Sequence, residues 1–349
     1  MRLEEAFSVV PEFLPENFDQ FTRPLTADFI EEGLLATGTA SLRRRRLPAE
    51  AVIWLLIGIA LMRNESIARV AALLGLARPS TTGGLVAPSA LTQARQRLGE
   101  APLEYIFTAT GTLWAARSAV AYTWRGLRLY AMDGSTVRVP DSKENWKAFG
   151  GQVGAGKRAG SAYPTVRVVA LMAVRSHVLA ALRFGSYKTG EVTLAKELWQ
   201  EVPRDEVVAP YHERWEIELG YDEHKTHMLA REEAIRSRTP ETVLQQLWAI
   251  GLACNLVRVE MERAAEEAGV APTRIGFVNA LSLICHAWFV WSTPPLAPGR
   301  IPDALLDLRQ KLRLLLLPER RPEGRYPRVG KIKMSNYAKK WVTRPQRAN

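Results

Sequence analysis

The sequence predicts a fold of class α+β or α/β, in which a helical N-terminal domain is followed by a domain that combines strands and helices. From Thr26 to about Ser118, apolar residues recur at spacings of three and four, the helical period, and strand-like alternation is almost absent. Near Arg125 the pattern changes to short alternating apolar stretches between turn residues, which is typical of strands. We therefore expect a helical domain at 1–122, a mixed domain at 123–300 and a basic C-terminal segment at 301–349.

The composition is that of an ordinary globular protein. Hydrophobic residues make up 47% of the 349 residues and charged residues 24%, which excludes a mostly disordered chain, a collagen-like chain and a disulfide scaffold. Cys254 and Cys285 each lie in an apolar helical pattern, so we expect both in the core of a protein from a reducing compartment. The acidic start MRLEEAFSVVPEF does not resemble a secretory signal, and the longest apolar stretches are shorter than the roughly 20 residues of a membrane span. We expect a cytoplasmic protein without a membrane span.

The charge balance favours a polyanionic partner, either nucleic acid or an anionic membrane surface, because the net charge is +11 and the pI is near 9.8. Residues 1–40 are acidic, so the rest of the chain is more basic than the total suggests. From Pro318 to Asn349 there are ten Lys or Arg residues and two Glu residues, interleaved with three aromatic residues. This segment fits either a nucleic-acid contact or a disordered basic tail.

Part of the N-terminal region resembles a helix-turn-helix unit. A first helix is predicted over Asn64–Leu76, where Gly75 ends the apolar face. Ser89 is a candidate N-cap of a second, polar and basic helix. The residues of that helix that we expect to face a DNA groove are Gln93, Arg95, Gln96 and Arg97. The loop between the helices is longer than the 3–4-residue turn of that motif, so a plain helical bundle stays open as the alternative.

The mixed domain begins with strands. Leu127–Met132 is predicted to be a strand that ends at Asp133, with Thr136–Val139 as its hairpin partner. Two further strands, joined by a short turn, are predicted over Thr165–Val174 and His177–Phe184. The remaining predicted segments are a glycine-rich loop over Asp141–Gly160 and helices over Glu191–Gln200, Tyr211–Leu229, Glu241–Ala265 and Phe277–Trp291.

The clearest chemical pattern lies in the helix predicted from residue 211 onward. Its sequence YHERWEIELGYDEHK spaces four polar residues three, four and seven positions apart, and these are Tyr211, Arg214, Glu218 and Lys225. At about 3.6 residues per turn, the four positions fall on one stripe of the helix. Such a stripe is a poor core face, and it could hold a metal ion through the carboxylate while the cations bind phosphates.

A second pattern, YAMDGSTVRVPD, puts Asp133 at the end of a predicted strand and directly before Gly134. The Asp133 carboxylate would then project into the crevice at that edge. Two-metal phosphoryl-transfer sites are often built from an Asp at a strand end and a Glu on a helix, because Mg²⁺ prefers hard oxygen ligands. Taken alone, an Asp-Gly pair after a strand also fits an ordinary turn.

These two patterns carry a resemblance to a known family. The four stripe residues match the Y-x2-R-x3-E-x6-K signature of the Insertion-Sequence-4 family of DDE transposases, and AMDGST is similar to that family's first catalytic aspartate segment. FSVVPEFLPENFDQ through LARPS resembles the family's N-terminal domain, and RYPRVGKIKMSNYAKK resembles its C-terminal end. The resemblance therefore extends over nearly the whole chain.

The resemblance implies a ribonuclease-H-like catalytic core, dependence on Mg²⁺ with Mn²⁺ as a substitute, and movement of a DNA element after recognition of its terminal inverted repeats. It implies that Asp133 is the first metal ligand and Glu218 the third acidic ligand. Tyr211, Arg214 and Lys225 would contact phosphates of the element's ends. The implied partners are double-stranded DNA, as terminal repeats and as target, and a second copy of the chain in a synaptic complex. The implied location is the cytoplasm, on the nucleoid when DNA is bound.

The chain departs from the family at one point. The family has its second catalytic Asp on a further strand, followed by a long, mostly β insertion, before the signature helix. Only Glu201–Pro210 separates the two helices here, and ten residues cannot contain those elements. We infer an internal deletion with its junction near Pro203–Val208, and therefore a truncated core that has lost the second Asp. Asp205 is a nearby acid that could replace the missing ligand.

Three functions are consistent with this sequence. The first is a transposase whose copy is catalytically defective because one carboxylate of the metal site is missing. The second is a protein that recognises the element's ends without cleaving them and so inhibits the intact transposase. The third is a degenerate product with no selected role, unable to fold stably.

Overall fold

The computed structural model describes residues 25–40, 47–76, 87–152, 163–201, 207–208, 235–292 and 297–318. The chain divides into two compact units, Met1–Leu316 and Leu317–Asn349. The boundary predicted between residues 122 and 123 is a change from helix to sheet inside the first unit, where apolar side chains of both regions form one hydrophobic cluster. The predicted C-terminal segment, 301–349, begins with the helix Ile301–Leu312, which also belongs to this first unit.

The described region before the sheet is helical, as the spacing of apolar residues predicts. Its helices are α1 (Ala27–Ala36), α2 (Ala49–Leu61), α3 (Ile67–Leu73), α4 (Pro88–Leu98) and α5 (Ala101–Val120). Helix α2 is buried on all sides, because its sequence AVIWLLIGIAL after Glu50 contains no charged residue.

Helix α3 begins and ends at residues whose chemistry explains its bounds. The Ser66 hydroxyl caps the helix by accepting a hydrogen bond from the Arg69 N–H at 3.2 Å. Val70 and Ala71 are buried, as the helical spacing predicts. The chain leaves the helix just before Gly75, which adopts a φ of +67°.

Helix α4 begins earlier than the sequence predicts. Pro88 occupies the first turn and Ala87 is the N-cap residue, so the prediction of Ser89 as the N-cap is wrong and Ser89 lies inside the helix. Proline suits this first position because its fixed φ is already helical and it has no N–H to satisfy.

The described strands form one mixed sheet. They are β1 (Thr123–Trp124), β2 (Leu127–Arg138), β3 (Thr165–Ala173), β4 (Leu179–Ser186) and β5 (Val207–Val208). The order is β1, β2, β3, β4, each antiparallel to the next, and β5 runs parallel to β2. The two strands predicted over residues 165–174 and 177–184 are confirmed by β3 and β4.

The strand that carries Asp133 is longer than the sequence predicts. Strand β2 does not end at Asp133, and each of its residues from Tyr130 onward is paired with β3. Residues 136–138 of the predicted hairpin partner Thr136–Val139 therefore continue the strand, and that prediction is wrong. The reason lies at Gly134, where an added Cβ would overlap the carboxyl group of Glu191. This glycine permits a close approach within the sheet and is not a turn residue.

The helices after β2 are α6 (Lys143–Phe149), α7 (Glu191–Glu201), α8 (Pro240–Ala268), α9 (Phe277–Ser292) and α10 (Ile301–Leu312). Helices α7, α8 and α9 confirm the predicted ones. Helix α6 corrects the prediction of a continuous loop over 141–160. It forms because the Ser142 hydroxyl caps it, accepting a hydrogen bond from the Asn145 N–H at 3.2 Å.

Helices cover both faces of the sheet. On one face, Leu194 and Leu198 of α7 pack against the sheet in a small apolar cluster. On the other face, Phe184 of β4 meets Trp248 of α8 edge to face, with ring centroids 4.7 Å apart. Helix α5 lies on this second face as well, because Gly111 comes close to the backbone of β4. Side chains on the two faces of one strand therefore have different surroundings.

Helix α8 is bonded directly to the sheet. Asn255 donates a hydrogen bond to the Leu179 carbonyl at 2.9 Å and accepts one from the Leu179 N–H at 2.7 Å. Cys254 and Cys285 are buried and not disulfide-bonded, which confirms that they are core residues. Within the described ranges, we find no helix with the length and apolar character to cross a membrane.

Candidate active site and nucleic-acid interface

Asp133, the first predicted metal ligand, lies in the interior of β2. It is half-buried and is paired with Ala170 of β3. Because successive side chains of a strand alternate between its faces, Asp133 shares a face with Ser135 and points away from the face of Gly134. The register places Phe184, which contacts α8, on the face of Ser135. The Asp133 carboxylate therefore belongs to the α8 side of the sheet and not to the α7 side.

Ser135 adds a buried hydroxyl on the same face. The residue is 8% exposed, and its Oγ has no hydrogen-bond partner among the described residues. Buried hydroxyl groups in proteins are normally hydrogen-bonded, so this group is suited to a ligand or a bound water. A carboxylate and an unused hydroxyl two residues apart on one strand fit the surroundings of a hydrated cation, which prefers oxygen ligands.

A second carboxylate, missed by the sequence analysis, lies against the same strand but on the opposite face. The Glu191 side chain covers Gly134 at the start of α7, and its Oε2 is 3.9 Å from Nη1 of Arg167. Arg167 also donates a hydrogen bond to the Tyr187 carbonyl at 3.3 Å. Because Glu191 is on the α7 side and Asp133 on the α8 side, the two carboxylates do not form one site. A glycine inside a strand pattern was the available signal of this close approach.

The other predicted site residues lie outside the described residues: Tyr211, Arg214, Glu218, Lys225 and the linker residue Asp205. The helix predicted over 211–229 is outside them too. In the part of the chain that the structure does describe, no group of three His, Cys, Asp or Glu side chains could hold a metal ion. Asp133 is thus the predicted metal ligand whose position is known.

The connection after α7 returns the chain to the strand of Asp133. Val207 and Val208 pair in parallel with Arg128 and Leu129 of β2. This strand, β5, has two residues, against about five or six in a typical strand. Neither of its residues is acidic, so β5 supplies no carboxylate beside Asp133.

The two arginines predicted to face a DNA groove differ in position. Arg95 is 8% exposed, and it donates hydrogen bonds to Oε1 of Gln245 at 3.1 Å and to the Ser237 hydroxyl at 2.9 Å. Burial lowers the pKa of Arg95 to about 10, so its guanidinium is still charged at neutral pH. Arg95 thus faces the protein interior, in contrast to the prediction. Gln93, Gln96 and Arg97 are exposed, and their contact with DNA stays a prediction.

The junction between α4 and α5 carries a titratable group that the sequence analysis missed. Burial, together with the charges of Glu104 and Glu241, raises the pKa of Glu100 to about 7. One carboxylate oxygen of Glu100 is buried without a hydrogen-bond partner among the described residues. Since Glu241 lies in the first turn of helix α8, Glu100 lies where the helical region meets the rest of the core.

Comparison with known proteins defines the class of this protein. Residues 15–108 match the family model described as Insertion element 4 transposase N-terminal. The chain is 30% identical to transposase InsG for insertion sequence element IS4 of Escherichia coli (strain K12), over 93% of this chain and 96% of InsG. It is 36% identical to InsZ, a candidate transposase of the same organism, over 58% of this chain and 66% of InsZ. No solved structure matches the chain.

These matches define a transposase, a protein of DNA transposition and recombination. The chain belongs to the Insertion-Sequence-4 family, which the signature residues and the AMDGST segment predict. The alignment with InsG spans 430 positions, whereas 93% of this 349-residue chain is about 325 residues. About a hundred aligned positions therefore have no residue in this chain. The alignment with InsZ spans 202 residues, which is 58% of this chain, so it contains no gap of that size.

Proposed function

We propose that this chain is the transposase of a bacterial-type insertion sequence, that it binds the terminal inverted repeats of its element, and that its strand cleavage is defective. The observation that carries the proposal is the shortfall of about a hundred positions in the InsG alignment. The ten residues Glu201–Pro210 are where a family member would have its second catalytic Asp and the inserted domain. A gap in the alignment and a connection too short for those elements support one internal deletion.

The proposed core is ribonuclease-H-like and truncated. In support of it, four antiparallel strands precede α7, a short parallel strand follows it beside β2, and the first acidic residue lies on β2. The two-residue length of β5 is consistent with the loss of a longer strand at the junction. The missing carboxylate would have come from this neighbourhood.

Asp133 and Glu218 are the residues proposed to hold Mg²⁺, or Mn²⁺ in its place. The fit rests on Asp133, a half-buried carboxylate, and on the buried hydroxyl of Ser135 on the same face, which has no hydrogen-bond partner in the part of the chain that the structure describes. A bound metal pair would supply activation of the attacking water and stabilisation of the leaving oxygen in phosphodiester cleavage. With one of three carboxylates missing, this chain's own residues bind such a pair weakly, which is the proposed cause of the defect.

For DNA contact, we propose Tyr211, Arg214 and Lys225 on the signature helix, together with exposed Arg97 on α4. The cations would bind phosphates and therefore position the DNA without reading its sequence. Arg95 is left out because its guanidinium is bonded inside the protein. Two element ends brought together in synapsis would require two copies of the chain, and the same basic surface would meet target DNA.

A second function, inhibition of the intact transposase, is favoured by the extent of the family match. Residues 15–108 match the N-terminal family model, and this stretch lies before the proposed deletion. A product that keeps the end-binding region and lacks cleavage would occupy the terminal repeats and block the active enzyme. This function needs no metal site.

The test uses purified protein and end-labelled duplex DNA that carries the inverted repeats flanking its own gene, with Mg²⁺ or Mn²⁺. Bound complex and nicked strand are scored together, and random duplex of the same length is the binding control. We expect sequence-specific binding without nicking, while InsG acting on the ends of IS4 provides the positive control for nicking.

Nicking by this chain that disappears in Glu218→Ala would overturn the proposed defect, and Asp205→Ala would then test for a replacement ligand. Binding that is equal for the repeats and for random DNA at every salt concentration would contradict end recognition, because nonspecific phosphate contacts alone produce that result. Addition of this protein to an InsG-like active transposase that shares the same ends measures inhibition directly.

A further inference from the structure

The hairpin before the strand of Asp133 carries exposed aromatic side chains. Its tip, defined as residues 121–126, contains β1 and the two-residue turn to β2, and Trp124 is paired with Leu127. Trp124 is 49% exposed and Tyr122 is 43% exposed. Large aromatic side chains usually bury most of their area, either in a core or against a partner. Half of the Trp124 surface is therefore open to a partner molecule.

The turn residue beside Trp124 is an arginine in a conformation that arginine rarely adopts. Arg125 has a φ of +53° and Gly126 a φ of +82°, the two positive values of a turn that normally selects Asn, Asp or Gly at its first position. The Arg125 guanidinium lies 4.6 Å from the centroid of the Trp124 ring. A residue in an unfavourable backbone conformation points to a task for its side chain. In this turn, the side chain of Arg125 places its positive charge next to the indole ring of Trp124.

The charge of the residues around the tip indicates which kind of partner would bind there. From residue 105 to residue 132 the sequence contains three arginines, Arg117, Arg125 and Arg128, and no Asp or Glu. The net charge of +11 likewise favours an anionic partner over a second copy of this chain. A partner that is both anionic and flat enough to stack on an indole ring is a nucleic acid with an accessible base.

We propose that the hairpin tip contacts DNA at an unpaired base, with Trp124 stacked on that base and Arg125 on an adjacent phosphate. The base must be unpaired or turned out, because both faces of a base inside an intact duplex are already covered. This inference rests on the proposed function only in taking DNA as the substrate. It adds a contact surface apart from the signature helix and from α4.

The tip is also at a useful distance from the candidate active site. Leu127, the residue opposite Trp124, lies six residues before Asp133 on β2. At about 3.3 Å per residue this separation is about 20 Å. The same length corresponds to about six base pairs of duplex at about 3.4 Å each. The tip and Asp133 are therefore separated by a length of about six base pairs along the direction of β2.

The experiment measures the affinity of the full chain for two duplexes of identical sequence, one fully paired and one with a single extra, unpaired thymine. Fluorescence anisotropy at fixed salt gives the ratio of the two affinities. The variants are Trp124→Ala and Trp124→Phe, which keeps a ring, and the matched control is Trp199→Ala, because Trp199 on α7 is 44% exposed. Arg125→Gly removes the cation and keeps a residue that suits the turn.

We expect the native chain to prefer the duplex with the unpaired base, and Trp124→Ala to lose about 5- to 150-fold of that preference, the contribution of one stacked base. Trp124→Phe keeps most of it, Trp199→Ala keeps all of it, and Arg125→Gly weakens binding to both duplexes alike. A native chain without the preference, or a Trp124→Ala variant that retains it, overturns the inference while DNA binding stands.

Two further outcomes have separate meanings. If the native chain binds neither duplex, the proposed function fails together with this contact surface. If Trp124→Ala changes the sedimentation behaviour from dimer to monomer, the tip is an interface between two copies of the chain and the assignment to DNA is wrong. Circular dichroism of each variant is compared with that of Trp124→Phe. An unchanged spectrum shows that a variant has lost a contact and not its fold.

Discussion

Helix α4 carries two arginines whose removal should have opposite consequences. Arg95→Ala removes the donors to the Gln245 side-chain oxygen and to the Ser237 hydroxyl, which are 0% and 5% exposed. A buried polar group that loses its partner costs about 1–3 kcal/mol. Since Ser237 keeps its bond to Gln246, the Gln245 oxygen is the group that loses its partner, and we expect the free energy of unfolding to fall by about 1–3 kcal/mol. Arg97→Ala removes an exposed side chain and should change this free energy by less than about 0.5 kcal/mol.

Urea unfolding followed by circular dichroism measures the first effect, provided that the dependence on urea is the same in both variants. Binding to duplex DNA over a salt series measures the second. Arg97→Ala should lower the slope of log affinity against log salt by about 1, the signature of one phosphate contact. If Arg95→Ala instead has the same urea midpoint as the native chain and loses DNA affinity, Arg95 faces DNA. The interior position of its side chain is then refuted.

Three other perturbations follow from the same contacts. Gly111→Ala on α5 would set a Cβ 2.8 Å from the Leu179 carbonyl oxygen, so we expect a loss of about 1–3 kcal/mol in urea unfolding, with exposed Thr112→Ala as the unaffected control. Asn255→Ala leaves the N–H and carbonyl of Leu179 without their partner, at about 1–3 kcal/mol each, and a loss below about 0.5 kcal/mol would contradict that bonding. Glu100 has its pKa raised to about 7, so the folded state retains a proton that the unfolded state has released. Its contribution to stability therefore falls as pH rises from about 4.5 to 7, and Glu100→Gln should gain stability over the native chain across that window; a constant difference between the two would exclude the effect.

The sequence predicts much of this fold because most elements depend on local periodicity. The spacing of three and four gives the helical region before residue 122, and alternation gives β3 and β4. Even the burial of Arg95 had a local signal, because Leu91, Ala94 and Leu98 define the buried stripe of α4 and Arg95 falls on it. Its partner Gln245, however, is 150 residues away, and a single sequence does not reveal that pairing.

The strand of Asp133 shows where local chemistry misleads. An Asp-Gly pair favours a turn, and nothing within several residues contradicts that interpretation. The deciding contact comes from Glu191, whose carboxyl group occupies the space that a side chain at Gly134 would need. The face on which Asp133 lies follows from the same register, because a break at Gly134 would have allowed its carboxylate to point either way. The sequence therefore predicts which residue types form the candidate site, but it does not predict how they are arranged in space.

The packing of the core bears on the proposed deletion, which would leave either a defective transposase or a remnant unable to fold. The bonds of Asn255 to Leu179 and of Arg95 to Gln245 join the chain before residue 201 to the chain after residue 235. These bonds involve no residue of the proposed junction, so a deletion there removes site residues and leaves the packing between the two parts in place. We therefore expect one cooperative urea transition that Asn255→Ala shifts as a whole. Two transitions, or a gradual loss of circular dichroism, would mean that the parts fold independently and that the deletion has destroyed more than catalysis.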